Sequence, residues 1–226
     1  MKTTLLVFAT EGESLGIRAE LDWQQAPEGL VHEDDTRRWV LVHTGIGMVN
    51  TAFKLGQQLA LFSYDLVINC GIAGAIDKSL HLGDLVEVTA DCFPEMGAED
   101  HDHFLDLEAL GFALDEEKAL YNTIKNPQKS TTGARKATGV TVNTVHGNQG
   151  SIAQLTDRWS GIQVESMEGA AVFLACTKAG IPFLQFRTIS NYVEPRNRDA
   201  WKIGLALKNL TIFLKTQMKK GFEIES

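Results

Sequence analysis

The stretch that decides the fold begins Glu165-Ser-Met-Glu-Gly-Ala-Ala171, runs through an apolar segment to Gly180, and continues as Phe183-Leu-Gln-Phe-Arg-Thr-Ile189. Residues 169–179 are mostly small or apolar, which predicts a buried helix with Gly180 at its C-terminal cap. The run from Phe183 to Ile189 is rich in residues that favour β-structure and predicts a core strand. A helix that leads directly into a core strand indicates a layered α/β protein.

Two polar residues stand at the edges of these apolar elements. Glu168 precedes the predicted helix, and Asn191 follows the predicted strand. Such edges are where protein scaffolds commonly carry functional groups. A single glutamate at a helix start also stabilises the helix through its dipole, so a functional interpretation depends on the two residues occurring together.

The composition is that of a globular protein that acts on a small molecule. The 226 residues are 44% hydrophobic and 22% charged, which fits one large α/β domain spanning residues 1–226. The net charge is −8. A diffuse acidic surface argues against nucleic acid or an anionic membrane as the main partner.

The cysteines and the apolar runs predict a cytoplasmic location. Cys70, Cys92 and Cys176 are odd in number and form no C-x-x-C pair, so we expect free thiols in a reducing compartment. The apolar run from Leu5 to Ala9 is too short for a signal peptide, and no run approaches the length of a membrane span.

The first strand leads into an acidic turn. Residues Thr3 to Thr10 predict a buried strand, and Glu11-Gly-Glu13 then opens a short helix. Carboxylates beyond the C-terminal end of a core strand are where the sites of α/β proteins gather, although they can also serve only as caps.

Two glycine-rich turns follow. Thr44-Gly-Ile-Gly-Met-Val49 precedes a helical pattern and can bind an anion on its free amides. It lacks the third glycine and the following acidic residue of a dinucleotide-binding motif. The second turn, Gly71-Ile-Ala-Gly74, ends a predicted buried strand and lets backbone approach a ligand closely.

The remaining segments predict further layers of the same domain. Residues 91–110 are acidic, and a solvated loop is favoured there over a metal site built on His101 and His103. We predict a surface helix over Leu114–Ile124, a loop over Asn126–Arg135, and a closing amphipathic helix through Ile203 to Leu214.

Four short motifs resemble the purine nucleoside phosphorylase and nucleosidase superfamily. They are Met167-Glu168, Ser190-Asn191, Gly71-Ile-Ala-Gly74 and Leu82-Gly-Asp84. The run from Tyr192 through Arg198, with Trp201 after it, resembles one branch, the futalosine hydrolases. The resemblance implies an α/β fold with a central mixed sheet flanked by helices, a purine nucleoside substrate, no cofactor and no metal, and assembly as a homo-oligomer.

The resemblance also implies roles for particular residues. Glu13 corresponds to the glutamate that activates water, with Glu11 as its near rival, while Glu168 binds the ribose hydroxyls and Asn191 binds the departing purine. The further substrate-binding residues are Gly45, Ala73, Gly74, Thr144, Val145, Met167 and Arg196.

Asn191 carries information about the base. Adenine-specific nucleosidases have aspartate at the matching place. An asparagine offers its carbonyl to a protonated N7 and its NH₂ group to a 6-oxo group. The sequence therefore favours a 6-oxopurine nucleoside such as futalosine, which is built on inosine, over methylthioadenosine.

Futalosine also carries an aromatic carboxylate far from its purine, and two arginines follow Asn191. An arginine can bind a carboxylate through two parallel hydrogen bonds. We expect Arg196 to be the ligand because it is nearer in sequence, with Arg198 as the alternative. A structural ion pair with Glu194 or Asp199 is the competing interpretation.

The basic residues near the predicted site indicate whether the nucleophile is phosphate or water. Phosphorolysis usually requires cations, but Arg18 is the only arginine before residue 37 and residues 44–49 carry no basic residue. Water is therefore favoured, and hydrolysis of futalosine to hypoxanthine is the preferred function. The alternatives are another purine nucleosidase or phosphorylase, acting on methylthioadenosine, S-adenosylhomocysteine or an inosine-like substrate, and a non-catalytic nucleoside-binding protein.

Overall fold

The computed structural model describes residues 1–112, 123–128 and 130–224. The strands are β1 (Lys2–Phe8), β2 (Gln24–Ala26), β3 (Gly29–Glu33), β4 (Arg37–His43), β5 (Leu66–Ala75), β6 (Leu85–Cys92), β7 (Gly97–Asp100), β8 (His103–Asp106), β9 (Thr123–Lys125), β10 (Arg135–Thr141), β11 (Val164–Ser166) and β12 (Phe183–Tyr192). The helices are α1 (Glu11–Glu20), α2 (Met48–Leu61), α3 (Gln149–Arg158), α4 (Gly169–Ala179), α5 (Ile203–Lys220) and a 3₁₀ turn (Arg198–Ala200).

A mixed sheet forms the centre of the fold. Its strands run in the order β11-β10-β6-β12-β5-β1-β4-β3-β2, and β9 pairs with the β6 edge. Strands β4, β1, β5 and β12 are parallel neighbours, whereas β12 and β6 are antiparallel. Because β11 also pairs with β5, the strands β5, β12, β6, β10 and β11 form a closed ring.

Helices cover both faces of this sheet. Side chains alternate along β1, so that Leu5 and Val7 join one apolar cluster with residues of α2 and α4. Leu6 and Phe8 join a second cluster with residues of α1 and α5. The predicted α/β fold with a central mixed sheet flanked by helices is therefore confirmed.

Several local predictions are confirmed. Helix α4 ends at Ala179 and is capped by Gly180, whose φ of 66° is the left-handed conformation that glycine adopts without strain. Strand β12 contains the predicted core strand, and α5 is the predicted closing helix. Cys70, Cys92 and Cys176 are buried and unpaired.

Other local predictions need correction. The acidic segment predicted as a loop contains the β7–β8 hairpin. Residues 113–122 of the predicted helix lie outside the described residues, and its predicted end is wrong because Thr123–Lys125 is a strand. In α2, Thr51, Leu55 and Gln58 are buried, whereas the apolar residues Val49 and Phe53 are exposed. The extent of the domain, residues 1–226, stays a prediction.

A β-bulge at the end of β12 positions the polar residues there. Ile189 pairs with Ala73 of β5, and Asn191 pairs with Gly74, so Ser190 is an additional residue on the β12 side. A bulge of this kind bends the strand and redirects the side chains that follow it. No helix in the described part of the chain is long and apolar enough to cross a membrane.

Candidate active site

A cavity of about 350 Å³ lies where β1, β5, β11 and β12 end. In α/β proteins ligands bind at this edge of the sheet. The residues that line it are Ala9, Thr10, Glu13, Ile46, Ile72, Ala73, Gly74, Val145, His146, Glu165, Ser166, Met167, Glu168, Ser190, Asn191 and Trp201.

Glu13 enters the cavity from the first turn of α1. Thr10 is the N-cap of this helix, and the Thr10 and Glu13 side chains form a capping box. Glu13 Oε2 accepts hydrogen bonds from the backbone N–H groups of Ala9 at 3.2 Å and Thr10 at 3.1 Å, and Oε1 accepts one from Ile72 at 3.1 Å. Three backbone donors on two segments thus hold one carboxylate in place.

Burial raises the pKa of Glu13, and the neighbouring charge of Glu168 raises it further. The buried guanidinium of Arg187 and the backbone hydrogen bonds oppose this rise. Gly71 gives both groups room, because a Cβ there would lie 2.7 Å from Glu13 Oε1 and 3.2 Å from Arg187 Nη1. A carboxylate with a raised pKa is suited to accept a proton.

Glu11, the rival of Glu13 at the sequence level, points elsewhere. Its side chain is 77% exposed and forms an ion pair with Arg18 at 3.5 Å on the outer face of α1. Only Glu13 of the two lines the cavity. Glu11 and Glu13 both lie in the first turn of α1, and their side chains point in different directions. The capping box with Thr10 holds only the Glu13 side chain at the cavity.

Glu168 reaches across the cavity instead of capping its own helix. It is the N-cap residue of α4, but its side chain makes no capping hydrogen bond. Oε1 accepts a hydrogen bond from the Gly47 N–H at 2.9 Å. Gly47 has a φ of 93°, which favours glycine, and it belongs to the glycine turn before α2. The second carboxylate oxygen has no hydrogen-bond partner among the described residues.

Asn191 is held by residues beside it on the bulge. Its Oδ1 accepts from the Ser190 hydroxyl at 2.8 Å, and its Nδ2 donates to the Tyr192 carbonyl at 3.0 Å. An amide has two acceptor and two donor positions. One of each therefore stays available to a ligand. The flanking Gly74 leaves room for this amide, because a Cβ there would lie 3.1 Å from Nδ2.

A histidine–glutamate pair that we did not predict also lines the cavity. Glu165 is 4% exposed and accepts hydrogen bonds from the His146 backbone N–H, at 3.0 Å, and from His146 Nδ1. Burial raises the pKa of Glu165, while the hydrogen bonds from His146 lower it. The two residues are nineteen apart with no regular spacing, so no sequence pattern pointed to the pair.

Most of the predicted site residues meet in this cavity. Ala73, Gly74, Val145 and Met167 line it together with Glu13, Glu168 and Asn191. Gly45 and Thr144 are not among its lining residues in the described structure; their neighbours Ile46 and Val145 are. Trp201, which we noted only as a mark of resemblance, forms part of the wall.

Arg196 and Arg198 flank the cavity without lining it. Their guanidinium groups lie 5.3 and 5.9 Å from the Trp201 ring, within the range of a cation–π contact. The competing interpretation, an ion pair with Glu194 or Asp199, is not seen in the described residues; Glu194 pairs instead with Lys78 at 3.5 Å. Neither arginine makes an ion pair within the described residues.

The electrostatic character of the cavity is acidic. Three glutamates line it, and no lysine or arginine does so within residues 1–112, 123–128 and 130–224. The nearest buried cation, Arg187, lies behind Gly71 and is 1% exposed. In the described part of the chain, no three His, Cys, Asp or Glu side chains converge as a metal site would require.

Comparisons with known proteins show the family of this chain. The family model of the phosphorylase superfamily matches residues 28–217. A futalosine hydrolase of Streptomyces coelicolor is 35% identical over 76% of this chain and 75% of its own length. A futalosine hydrolase of Acidothermus cellulolyticus is 33% identical over 91% of this chain and 86% of its own.

A solved structure also shares the fold. The 5′-methylthioadenosine/S-adenosylhomocysteine nucleosidase of Neisseria meningitidis, in complex with methylthio-immucillin-A, superposes with a TM-score of 0.80. The match covers 98% of this chain and 100% of that one, at 21% identity. At that identity the likeness shows the fold alone.

Proposed function

This chain belongs to the phosphorylase superfamily and, within it, to the futalosine hydrolases, and from that membership we propose that it hydrolyses the N-glycosidic bond of futalosine. The products are hypoxanthine and dehypoxanthine futalosine, in the futalosine pathway of menaquinone biosynthesis. The observation that carries the proposal is the convergence of Glu13, Glu168 and Asn191 on one cavity without a lining lysine or arginine among the described residues.

Glu13 acts as the general base. Its carboxylate accepts a proton from a water molecule as the water oxygen bonds to C1′ and the C1′–N9 bond breaks, with the electron pair leaving on the purine. This is the role of the base carboxylate in inverting glycosidases. The three backbone hydrogen bonds to Glu13 support the role, because they fix the carboxylate before the substrate arrives.

Glu168 binds the ribose. As an ionised carboxylate it only accepts hydrogen bonds, so its free oxygen can take them from the 2′- and 3′-hydroxyls. Its negative charge also stabilises the cationic sugar that forms as the bond breaks. The hydrogen bond from Gly47 supports this role, because it turns the side chain away from its own helix and into the cavity.

Asn191 binds the departing base. Its free acceptor position can take a hydrogen bond from a protonated N7, and its free donor can bind the 6-oxo group. The bonds from Ser190 and to Tyr192 support this orientation of the amide. The pattern matches hypoxanthine and opposes adenine, whose 6-amino group is a donor.

The acidic lining favours water over phosphate. A phosphate dianion beside Glu13 and Glu168 would require a cation, and Arg187 is buried behind Gly71 with its charge directed towards Glu13. Exclusion of the anion leaves water as the nucleophile.

The carboxylate of futalosine is bound beside Trp201. We assign Arg196 as its ligand, because it approaches the Trp201 ring more closely than Arg198 does. Its backbone N–H donates to the Gly147 carbonyl at 3.1 Å, which anchors the loop near His146. The guanidinium is exposed and unpaired within the described residues, so it is available to a ligand.

A second copy of the chain covers the mouth of the cavity. Ile46, Val49 and Phe53 are 57%, 74% and 68% exposed and follow each other around the start of α2, next to Glu168. Exposed apolar groups of this kind mark interaction surfaces. We therefore expect a homo-oligomer, and the three unpaired cysteines favour the cytoplasm.

The test is a substrate panel. The purified protein is incubated with futalosine, inosine and methylthioadenosine, each with and without phosphate, and the released base and sugar are identified. We expect hypoxanthine and a free reducing sugar from futalosine at the same rate in both conditions. Strict dependence on phosphate would show a phosphorylase, preferential release of adenine would show a different nucleosidase, and no release from any substrate would contradict an enzymatic role.

A further inference from the structure

Glu165 and Asn191 stand on opposite sides of one glycine. Gly74 of β5 is the register partner of Glu165 on β11 and of Asn191 on β12. Residues directly opposite each other on paired strands project from the same face of a sheet, and neighbouring strands are about 4.8 Å apart. Both polar side chains line the cavity, from Cα positions roughly 10 Å apart, and Gly74 between them has no side chain.

Glu165 has acceptor capacity that the protein does not use. Within the described residues its hydrogen bonds come from His146 alone, one to each carboxylate oxygen. Each oxygen of a carboxylate has a second lone pair. Since the side chain is buried at the cavity wall, only a bound molecule can reach these lone pairs.

The purine of the proposed substrate has one donor that Asn191 does not satisfy. In a 6-oxopurine, N7 and O6 lie along one edge, and N1–H lies on the other side of O6. In adenine, N1 instead carries a lone pair. A base that presents N7 and O6 to Asn191 turns its N1 side towards the strand across Gly74, where Glu165 stands.

We propose that Glu165 accepts the N1–H of the 6-oxopurine and so forms, opposite Asn191, the second determinant of base specificity. His146 is a positioning residue that fixes the carboxylate from two directions. The inference rests on the proposed function for the orientation of the base. It extends that function by naming the acceptor that rejects both adenine and N1-substituted purines.

His146 also favours the required ionisation. Burial raises the pKa of Glu165, and the exposed Glu95 carboxylate adds to the rise, whereas the hydrogen bonds from His146 oppose it and so favour the ionised form. An ionised carboxylate only accepts hydrogen bonds, so it pairs with N1–H and repels the N1 lone pair of adenine.

The first experiment needs no variant. Binding of hypoxanthine, 1-methylhypoxanthine and adenine to the whole protein is measured by titration calorimetry. We expect hypoxanthine to bind roughly 10- to 100-fold more tightly than either of the others, the effect of leaving one buried polar group unpaired. Equal affinity for hypoxanthine and 1-methylhypoxanthine, or no binding of hypoxanthine, would overturn the inference.

The second experiment changes the acceptor. In Glu165→Gln the His146 backbone N–H keeps the amide oxygen at one position, so the amide NH₂ occupies the other and can donate to N1 of adenine. The preference for hypoxanthine over adenine should fall by roughly tenfold or more. Glu95→Gln is the matched control, because Glu95 is a neighbouring carboxylate outside the cavity lining, and it should keep the preference. An unchanged preference in a folded Glu165→Gln protein would refute the proposal.

His146 is tested by rescue. An asparagine carries an amide nitrogen near the position of His146 Nδ1, so His146→Asn should retain the preference for hypoxanthine and His146→Ala should lower it. Equal preferences for hypoxanthine over adenine in the two variants would show that His146 does not position Glu165. Because binding of free bases requires no turnover, a protein that discriminates at N1 but releases no hypoxanthine from futalosine would contradict the proposed function and leave this inference standing.

Discussion

The two sides of the cavity are built in different ways. On the Glu13 side, formed by Glu13 and Glu168, backbone N–H groups hold both carboxylates. On the Asn191 side, formed by Asn191, Glu165 and His146, Asn191 and Glu165 are each held by one contact to a side chain and one to the backbone. Backbone donors persist when neighbouring side chains change, whereas a contact between side chains depends on both residues. The Glu13 side is therefore suited to a reaction that stays the same when neighbouring side chains change. The Asn191 side is suited to a base preference that substitutions can alter.

This contrast predicts that substitutions on the Glu13 side cause the largest loss of catalytic rate. Glu13→Gln should lower kcat by about 10²–10⁴-fold, the usual contribution of a general base, with little change in substrate binding. Single-turnover kinetics and the dissociation constant for substrate measure the two effects separately. Glu11→Gln is the control and should leave kcat nearly unchanged, because Glu11 is exposed outside the cavity. A dead Glu11→Gln variant would reverse the assignment.

Glu168→Gln should affect both binding and rate. The ribose hydroxyls bind Glu168 in the ground state and more strongly as positive charge develops, so we expect KM to rise and kcat to fall. Hydrogen bonds to a charged group contribute about 1.5–3 kcal/mol, which corresponds to a loss in kcat/KM of roughly 10- to 100-fold. Steady-state kinetics with futalosine checks this. A change in KM alone would show that Glu168 binds the sugar without stabilising its cationic form.

Asn191→Asp should change the preference between 6-oxopurine and 6-aminopurine nucleosides more than it changes the overall catalytic rate. A carboxylate cannot donate to the 6-oxo group, so kcat/KM for futalosine should fall relative to a 6-aminopurine nucleoside. One mismatched buried hydrogen bond costs about 1–3 kcal/mol. The measurement is the ratio of kcat/KM for the two nucleosides in both proteins. If the ratio stays the same, base recognition does not depend on the amide, and the contrast between the two sides fails.

Arg196→Ala should have a smaller effect, confined to KM. The guanidinium is exposed, and solvent screens its attraction to a carboxylate, so KM for futalosine should rise by no more than roughly tenfold. Inosine, which lacks the carboxylate, should show no such rise. Arg198→Ala is the matched control, because Arg198 lies farther from the Trp201 ring, at 5.9 Å. Equal losses on both substrates would mean that Arg196 holds its loop and does not bind the ligand.

The smallest effect is a shift of the pH profile. The general base must be ionised, and burial raises the pKa of Glu13, so activity is present above that raised value and is lost as the pH falls through it. The acid limb of kcat/KM should therefore lie above the usual range of a glutamate, which is centred near pH 4.3. A limb at or below the usual value would contradict the assignment of Glu13 as the base.

Local patterns in the sequence were sufficient for the layers of the fold. The apolar run before Gly180 predicted α4 and its cap, and the β-rich run after it predicted β12, because both signals depend on residues adjacent in the chain. The amphipathic pattern predicted α5 because it too depends on residues close together in the chain. In α2, Val49, Phe53 and Leu61 are exposed and Leu55 is buried, so the apolar pattern predicted the helix but not which of its faces is buried.

The sequence by itself determined that Glu168 and Asn191 stand at the edges of apolar elements, and the family resemblance added Glu13, with Glu11 as its rival. Only the tertiary structure decided which groups share a cavity. It separated Glu13 from Glu11 through the capping box, and it brought Glu165 opposite Asn191 because β11 closes the ring of strands onto β5. The physical reason is that helix and strand signals arise from neighbouring residues, whereas a binding site arises from strand pairing between residues far apart in the chain.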